Sequence, residues 1–192
     1  MKKDMGTTNA LYPSLTTIVG AEVNGVPNFL AVAHVGCMNH GEPQYLSIGL
    51  SKTHYTNAGI EEHGEFSINI PSREMMAVTD YVGIISGKNH DKSQIFTVEK
   101  GVLAYAPLIM ECPVNIECRL EKSFTLGAHQ IFIGEIIKTW AAPEVLNAQG
   151  KLDPMLIKPL LFDMNTLGYY ALGEKVGACW NAGKQMKERK AK

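Results

Sequence analysis

Alternation of apolar and polar positions is sharpest from Val114 to Leu126. There Val114, Ile116, Cys118 and Leu120 point one way, and Asn115, Glu117, Arg119 and Glu121 the other. A period of two predicts a strand with one covered face. The chain turns at Gly127-Ala128 and returns as His129 to Trp140, HQIFIGEIIKTW, where the pattern changes. Ile131, Ile133 and Ile137 fall on one face, and Phe132, Ile136 and Trp140 on the other. Two-sided burial in an antiparallel strand calls for a closed or double-layered sheet, so a barrel is expected. Gly134, in mid-strand, marks a bend or a close approach, and His129 opens the strand at the barrel rim.

Upstream, Thr16 to Val23, the pair Asn24-Gly25, and Asn28 to His34 read as a hairpin. Asn-Gly suits a turn with positive φ at both central positions, and Pro27 then starts the return strand. The small residues Ala31 and Ala33 leave room for something flat against the backbone, or for a neighbouring helix. Strands are expected at Tyr45–Leu50 and Phe66–Ile70, with a helix of about three turns between them that Gly64 stops. Arg73 to Ile85 carries Met75, Met76, Val78, Tyr81, Val82 and Ile85 at helical spacing, a stripe that reads as core. A polar loop from Ser86 leads to a short helix at Lys92–Phe96. Pro143, Pro154 and Pro159 mark a long excursion over the barrel, which Tyr169 and Tyr170 finish by packing. The expected class is mainly β with peripheral helices, in one domain over residues 1–192, with 184–192 as a basic tail.

The entry into the first helix, Ser51-Lys52-Thr53-His54-Tyr55-Thr56, carries the candidate chemistry. Thr53 can cap the first turn, and Thr56 occupies the place where a capping box would put an acid. An uncharged helix start with two hydroxyls and Lys52 beside it can hold a phosphate; it also reads as an ordinary capped helix with a solvated lysine. Lys92 is either a second anion ligand or a solvated loop lysine.

Composition narrows the field. The 192 residues carry a formal net charge of −1, with 45% hydrophobic and 19% charged residues, which argues against nucleic acid as a main partner. No apolar run reaches membrane-spanning length and the first residues lack a signal-peptide core, so the expectation is the cytoplasm, with no membrane contact. Cys37, Cys112, Cys118 and Cys179 show no C-x-x-C spacing and are expected as reduced thiols, with Cys118 buried. G-x-G-x-x-G, P-loop, G-x-S-x-G and H-E-x-x-H motifs are absent, and the six histidines pair with nothing at metal-site spacing. Neither a metal nor a catalytic triad is expected.

Six pieces in order carry a resemblance: the hairpin with Asn28, then Ser51-Lys52-x-x-Tyr55-Thr56, FSINIPS, DYVGIISGKNHDK, HQIFIGEI, and finally PLLFD with YYALGEKVG. Together they resemble the flavin reductase-like family, in its flavoredoxin branch, from Leu11 to about Lys184. The resemblance implies an FMN-binding split β-barrel that works as a homodimer with non-covalent flavin. It places Thr56 and Lys92 at the phosphate, joined by Lys52 and Thr53, with Asn28, His129 and Phe162 along the rest of the cofactor, and the small residues Ala31 and Ala33 would allow the flat slot that a flavin needs. His34 stands where the family often has an aromatic residue, typically tryptophan, and an imidazole there can add charge near the ring. The implied function is an FMN-dependent reductase that takes electrons from NADH, NADPH or a redox protein and passes them to a small acceptor such as free flavin or a metal complex. A flavoredoxin-type electron carrier without its own nicotinamide site and a non-catalytic flavin store are the alternatives. The flavin would supply the redox chemistry, so no catalytic acid need stand in the motifs.

Overall fold

A computed structural model describes residues 1–184 and 186, so the basic tail beyond Lys184 lies, apart from Met186, outside the described residues. The strands are β1 Ser14–Leu15, β2 Thr17–Val23, β3 Val26–Val32, β4 Val35–Asn39, β5 Tyr45–Ser51 and β6 Glu65–Ile70. They continue as β7 Val98–Glu99, β8 Leu108–Ile109, β9 Val114–Leu126, β10 His129–Ala141, β11 Leu160–Asp163 and β12 Gly168–Ala171. The helices are α1 Thr56–His63, α2 Met76–Ile84 and α3 Pro154–Ile157.

Seven strands form one antiparallel sheet in the order β3-β2-β6-β9-β10-β5-β4. Its two edge strands, β3 and β4, are consecutive in the chain and joined by the corner Ala33-His34. The sheet therefore curls until its edges meet at that corner, where Gly49 N–H donates to the His34 carbonyl at 2.8 Å. This is a split β-barrel, mainly β with peripheral helices, as expected. Val19, Leu30, Val32, Ile48, Leu50, Phe66, Ile68, Cys118 and Phe132 fill its interior. A second sheet, β1-β11-β12, lies beside the corner.

Two-sided burial is real, but it is carried by β2 and β3. Val19 and Leu30 point into the barrel, while Ile18 and Phe29 pack outside it with Val82 of α2. On β10, Phe132 is fully buried whereas Ile131, Ile133, Ile136 and Ile137 are half-buried. Register shifts at Ile133/Gly134 and Ile136/Lys138 re-aim the later residues. Gly134 sits at the first shift and also at a close approach, because a Cβ there would lie 2.5 Å from Phe66 Cζ. The polar face of β9 is less exposed than its alternation predicts. Asn115 and Glu117 are buried, with the Glu117 carboxylate accepting from Leu103 N–H and from the Trp140 indole.

Several local expectations need correction. The helix after β5 spans eight residues rather than three turns, although Gly64 does stop it, with φ 64. Thr53 does not cap it: residues 51–54 form a turn closed by His54 N–H to the Ser51 carbonyl, so the helix starts only at Thr56. No helix forms at Lys92–Phe96, where Ser93 N–H bonds the Asp91 carboxylate and the segment turns instead. The Met-rich stripe is only partly core, since Met76 and Tyr81 are exposed. All four cysteines are unpaired, and burial pushes the Cys118 thiol up to about 12. Among the described residues no helix is long and apolar enough to cross a membrane.

Candidate functional site

The corner Ala33-His34 opens onto a cleft of about 450 Å³ between the barrel and the second sheet. Small residues shape one wall: Ala31 and Ala33 of the β3 arm and Gly49 of β5. Ala31 also meets helix α2 at Gly83, where an added Cβ would come within 3.2 Å of its own. The helix reading of the small residues therefore holds for Ala31, while Ala31 and Ala33 also border the open cleft. His34, His129 and Phe162 line the cleft from the corner, the start of β10 and β11. His34 and His129 meet edge to face at 5.4 Å. Burial, and then the neighbouring His129, hold the His34 imidazole below its ordinary range, so it is neutral at pH 7.

Next to the cleft lies a smaller hollow of about 250 Å³, which shares His54, Gly83 and Ile84 with it as walls. Asn28, Thr53, Thr56, Ser86, Gly87 and Lys92 line this second part. Thr56, the first residue of α1, is buried, and its Oγ1 accepts from Asn28 Nδ2 at 2.8 Å. Its hydroxyl hydrogen has no acceptor among the described residues, and the first turn of α1 contains no acid.

Lys92 is the unusual group here. It is 2% exposed, and its Nζ donates to the carbonyls of Phe29 and Val82, each at 2.8 Å. An ammonium has three donors, so one remains uncommitted. Among the described residues no carboxylate lies within ion-pair distance of it. Burial pulls its pKa down to about 8. A buried cation without a counterion is costly, and an anion in the hollow would relieve that cost.

Eight of the nine residues singled out from the sequence thus meet along one two-part trough. Lys52 does not join them: it is exposed and lines neither part. Sequence reasoning left other lining residues unassigned, among them Thr16, His54 and Tyr169, and also Tyr12, which stands behind His34. Thr16 is 2% exposed, lines the cleft, and its hydroxyl has no partner among the described residues. Tyr12 reaches the cleft by bonding His34, and burial with a hydrogen bond to Asp80 pushes the Tyr169 phenol up to about 12. Gly83 did leave a trace, because a glycine inside a predicted helix invites a packing explanation. Among the described residues no cluster of His, Cys, Asp or Glu could hold a metal.

A slot walled by small and aromatic residues that runs into an end lined by hydroxyls and a buried ammonium defines the class: a split β-barrel with a two-part trough at its corner. The flavin reductase like domain family matches residues 9–169, and the chain belongs to that family. The chain is similar to the flavoredoxin from Methanosarcina acetivorans, with 38% identity and a TM-score of 0.93 over 97% of this chain and 99% of that one. It is also similar to the flavoredoxin of Desulfovibrio vulgaris (Miyazaki F), with 35% identity and a TM-score of 0.88 over 96% and 100%. These likenesses place it in the flavoredoxin branch. An FMN-binding protein from Thermus thermophilus shares the fold at 20% identity, with a TM-score of 0.80 over 93% and 99%.

Proposed function

We propose that this chain is an FMN-dependent oxidoreductase whose two-part trough holds the cofactor. The carrying observation is Lys92, a buried ammonium with a donor to spare and no counterion among the described residues, at the end of a ring-sized slot. The residues fit the group. Lys92, Thr56 and Thr53 grip the phosphate; Asn28 fixes the Thr56 hydroxyl; Ala31 and Ala33 leave the ring room; His34, His129 and Phe162 border it. The orphaned Thr16 hydroxyl gains a partner when the slot fills. Bound FMN supplies the electron transfer. The chain's own residues hold it, keep water from the apolar slot, and set the charge beside it.

Electrons come from NADH or NADPH and pass to a small acceptor. The working unit is a homodimer of single-domain subunits, a reading supported by Ile84 and Met164, which line the cleft yet stay 74% and 49% exposed. Similarity to two flavoredoxins favours a second reading, an electron carrier fed by another redox protein. Purified protein should be yellow with bound FMN. Anaerobic titration with each nicotinamide then decides: rapid bleaching supports the reductase, and bleaching only by dithionite supports the carrier. A colourless protein that takes up no added FMN would sink both.

A further inference from the structure

At the opposite end of β10 from His129, Trp140 borders a separate hollow of about 590 Å³, within the size range of small-molecule sites. No residue of the trough lines it. Eleven strand positions separate His129 from Trp140, on the order of 30 Å, so an occupant would not touch the proposed flavin. We infer that this hollow is a second binding site, for a planar aromatic cation that carries N–H donors.

Three features select that chemistry. First, the Trp140 indole is held in place. Its Nε1 donates at 2.7 Å to Glu117, a carboxylate 0% exposed whose other oxygen takes Leu103 N–H at 2.7 Å. With its N–H committed, the 40% exposed ring offers a π surface, which attracts positive charge. Lys138, which does not line the hollow, already places its ammonium 5.3 Å from the ring centroid. Second, Asn115 lines the hollow while only 6% exposed. Its amide hydrogens go to Asn69 Oδ1 at 2.7 Å and the Ile109 carbonyl at 2.9 Å. Its Oδ1 takes no donor among the described residues, which leaves a free acceptor on a side chain that lines the hollow. Third, Glu99 and Glu144 add carboxylates, whereas the Lys100 ammonium is engaged by Glu22 at 3.3 Å. Val102 and Met110, both exposed, supply apolar walls for a ring.

The test uses the full chain with Trp180→Phe, which leaves Trp140 as the single indole, and follows its N–H resonance by NMR. Benzamidine is the probe and benzoate its anionic counterpart. Benzamidine should shift the resonance saturably with a dissociation constant of about 1 mM or tighter, and benzoate should bind about tenfold more weakly. Glu99→Gln with Glu144→Gln, both surface changes, should bring the two ligands to within about threefold of each other. Val102→Phe should abolish saturation by filling the hollow. Absent or non-saturable shifts, equal responses to both probes, or indifference to these variants would overturn the proposal. A second copy of the chain covering this face would give the first of those results.

Discussion

The hydroxyl of Tyr12 stands 2.9 Å from Nε2 of His34, tying the N-terminal segment to the corner that joins the two edges of the barrel. Tyr12 also meets Phe162 edge-on, with ring centroids 6.3 Å apart, so it spans from the corner to the second sheet. His34 is thereby a fixed group beside the proposed ring, and its charge state matters. Burial and His129 keep it neutral at pH 7. Because burial and His129 hold it below the ordinary histidine range, it gains a proton only in more acidic solution than a free imidazole does, and the positive charge then favours the electron-rich, reduced flavin. Potentiometry of the FMN-loaded protein should show the midpoint rising more steeply with acidity in the native chain than in His34→Trp. The same variant should shift the flavin absorption by restoring aromatic contact. Identical spectra and identical potential–pH curves would mean that His34 is not beside the ring.

Lys92 gives the grip on the phosphate a pH limit. Its pKa in the free protein is about 8, below the ordinary lysine value, because burial penalises the ammonium. An anion favours the protonated form and raises that pKa on binding. Affinity for FMN should therefore be full below about pH 8 and fall above it, by up to about tenfold per pH unit. Riboflavin, without a phosphate, should not follow this curve. Flavin fluorescence titrations at pH 7, 8.5 and 9.5 would check it, and parallel curves for the two ligands would exclude Lys92 as the phosphate ligand.

Folding stability carries the same linkage with the opposite slope. A lysine whose pKa is lower in the folded state binds fewer protons folded than unfolded. Ligand-free stability should therefore rise with pH between about 8 and 10.5, apart from other titrations. Lys92→Met, which keeps the stem and removes the charge, should flatten that rise in urea melts. A rise that survives the substitution would show that Lys92 is not its source.

Substitution at the phosphate end should separate ligands by their tails. A charge-assisted hydrogen bond contributes about 1.5–3 kcal/mol, roughly 10- to 100-fold in affinity. Lys92→Ala with Thr56→Ala should weaken FMN by at least the lower figure and leave riboflavin nearly unchanged. Equal losses would move the phosphate elsewhere. Lys52→Ala should cost FMN little, since that side chain stays in solvent.

Strands β9 and β10 were legible because hydrophobic period is a local signal, declared over thirteen residues each, whereas the two-sided burial that closes the barrel fell on β2 and β3. Helix lengths near the trough were less legible. Nothing local in Ser51-Lys52-Thr53 reveals that Asn57 Nδ2 bonds back to the Ser51 carbonyl, a contact that accompanies the later helix start. Convergence of Thr56 and Lys92 came from family resemblance, because no spacing rule joins residues 36 positions apart. The burial of Lys92 was invisible for a related reason. Its partners are backbone carbonyls on β3 and α2, and a carbonyl looks the same in every sequence. Glu117 was misplaced on a solvent face because its donors, Leu103 N–H and the Trp140 indole, come from other segments.

Two glycines should respond to the same substitution in different ways. At Gly134 a Cβ would lie 2.5 Å from Phe66 Cζ and 2.9 Å from Cys118 Cβ, inside a core that cannot yield. Gly134→Ala should cost about 1–3 kcal/mol and lower Tm by roughly 2–4 °C per kcal/mol, with FMN affinity of the remaining folded protein unchanged. At Gly87 a Cβ would instead strike the Asn28 side-chain oxygen and Tyr55. Gly87 lies in the half-exposed loop after α2, so the chain can absorb the clash by moving Asn28. That movement breaks the Asn28–Thr56 hydrogen bond and releases the hydroxyl from its aim. Gly87→Ala should therefore change Tm little and weaken FMN by about 3- to 10-fold, the worth of roughly one hydrogen bond. Melting curves and FMN titrations on both variants make the comparison. A Gly87→Ala protein that melts early yet binds FMN at full strength would remove Asn28 from the grip on the phosphate.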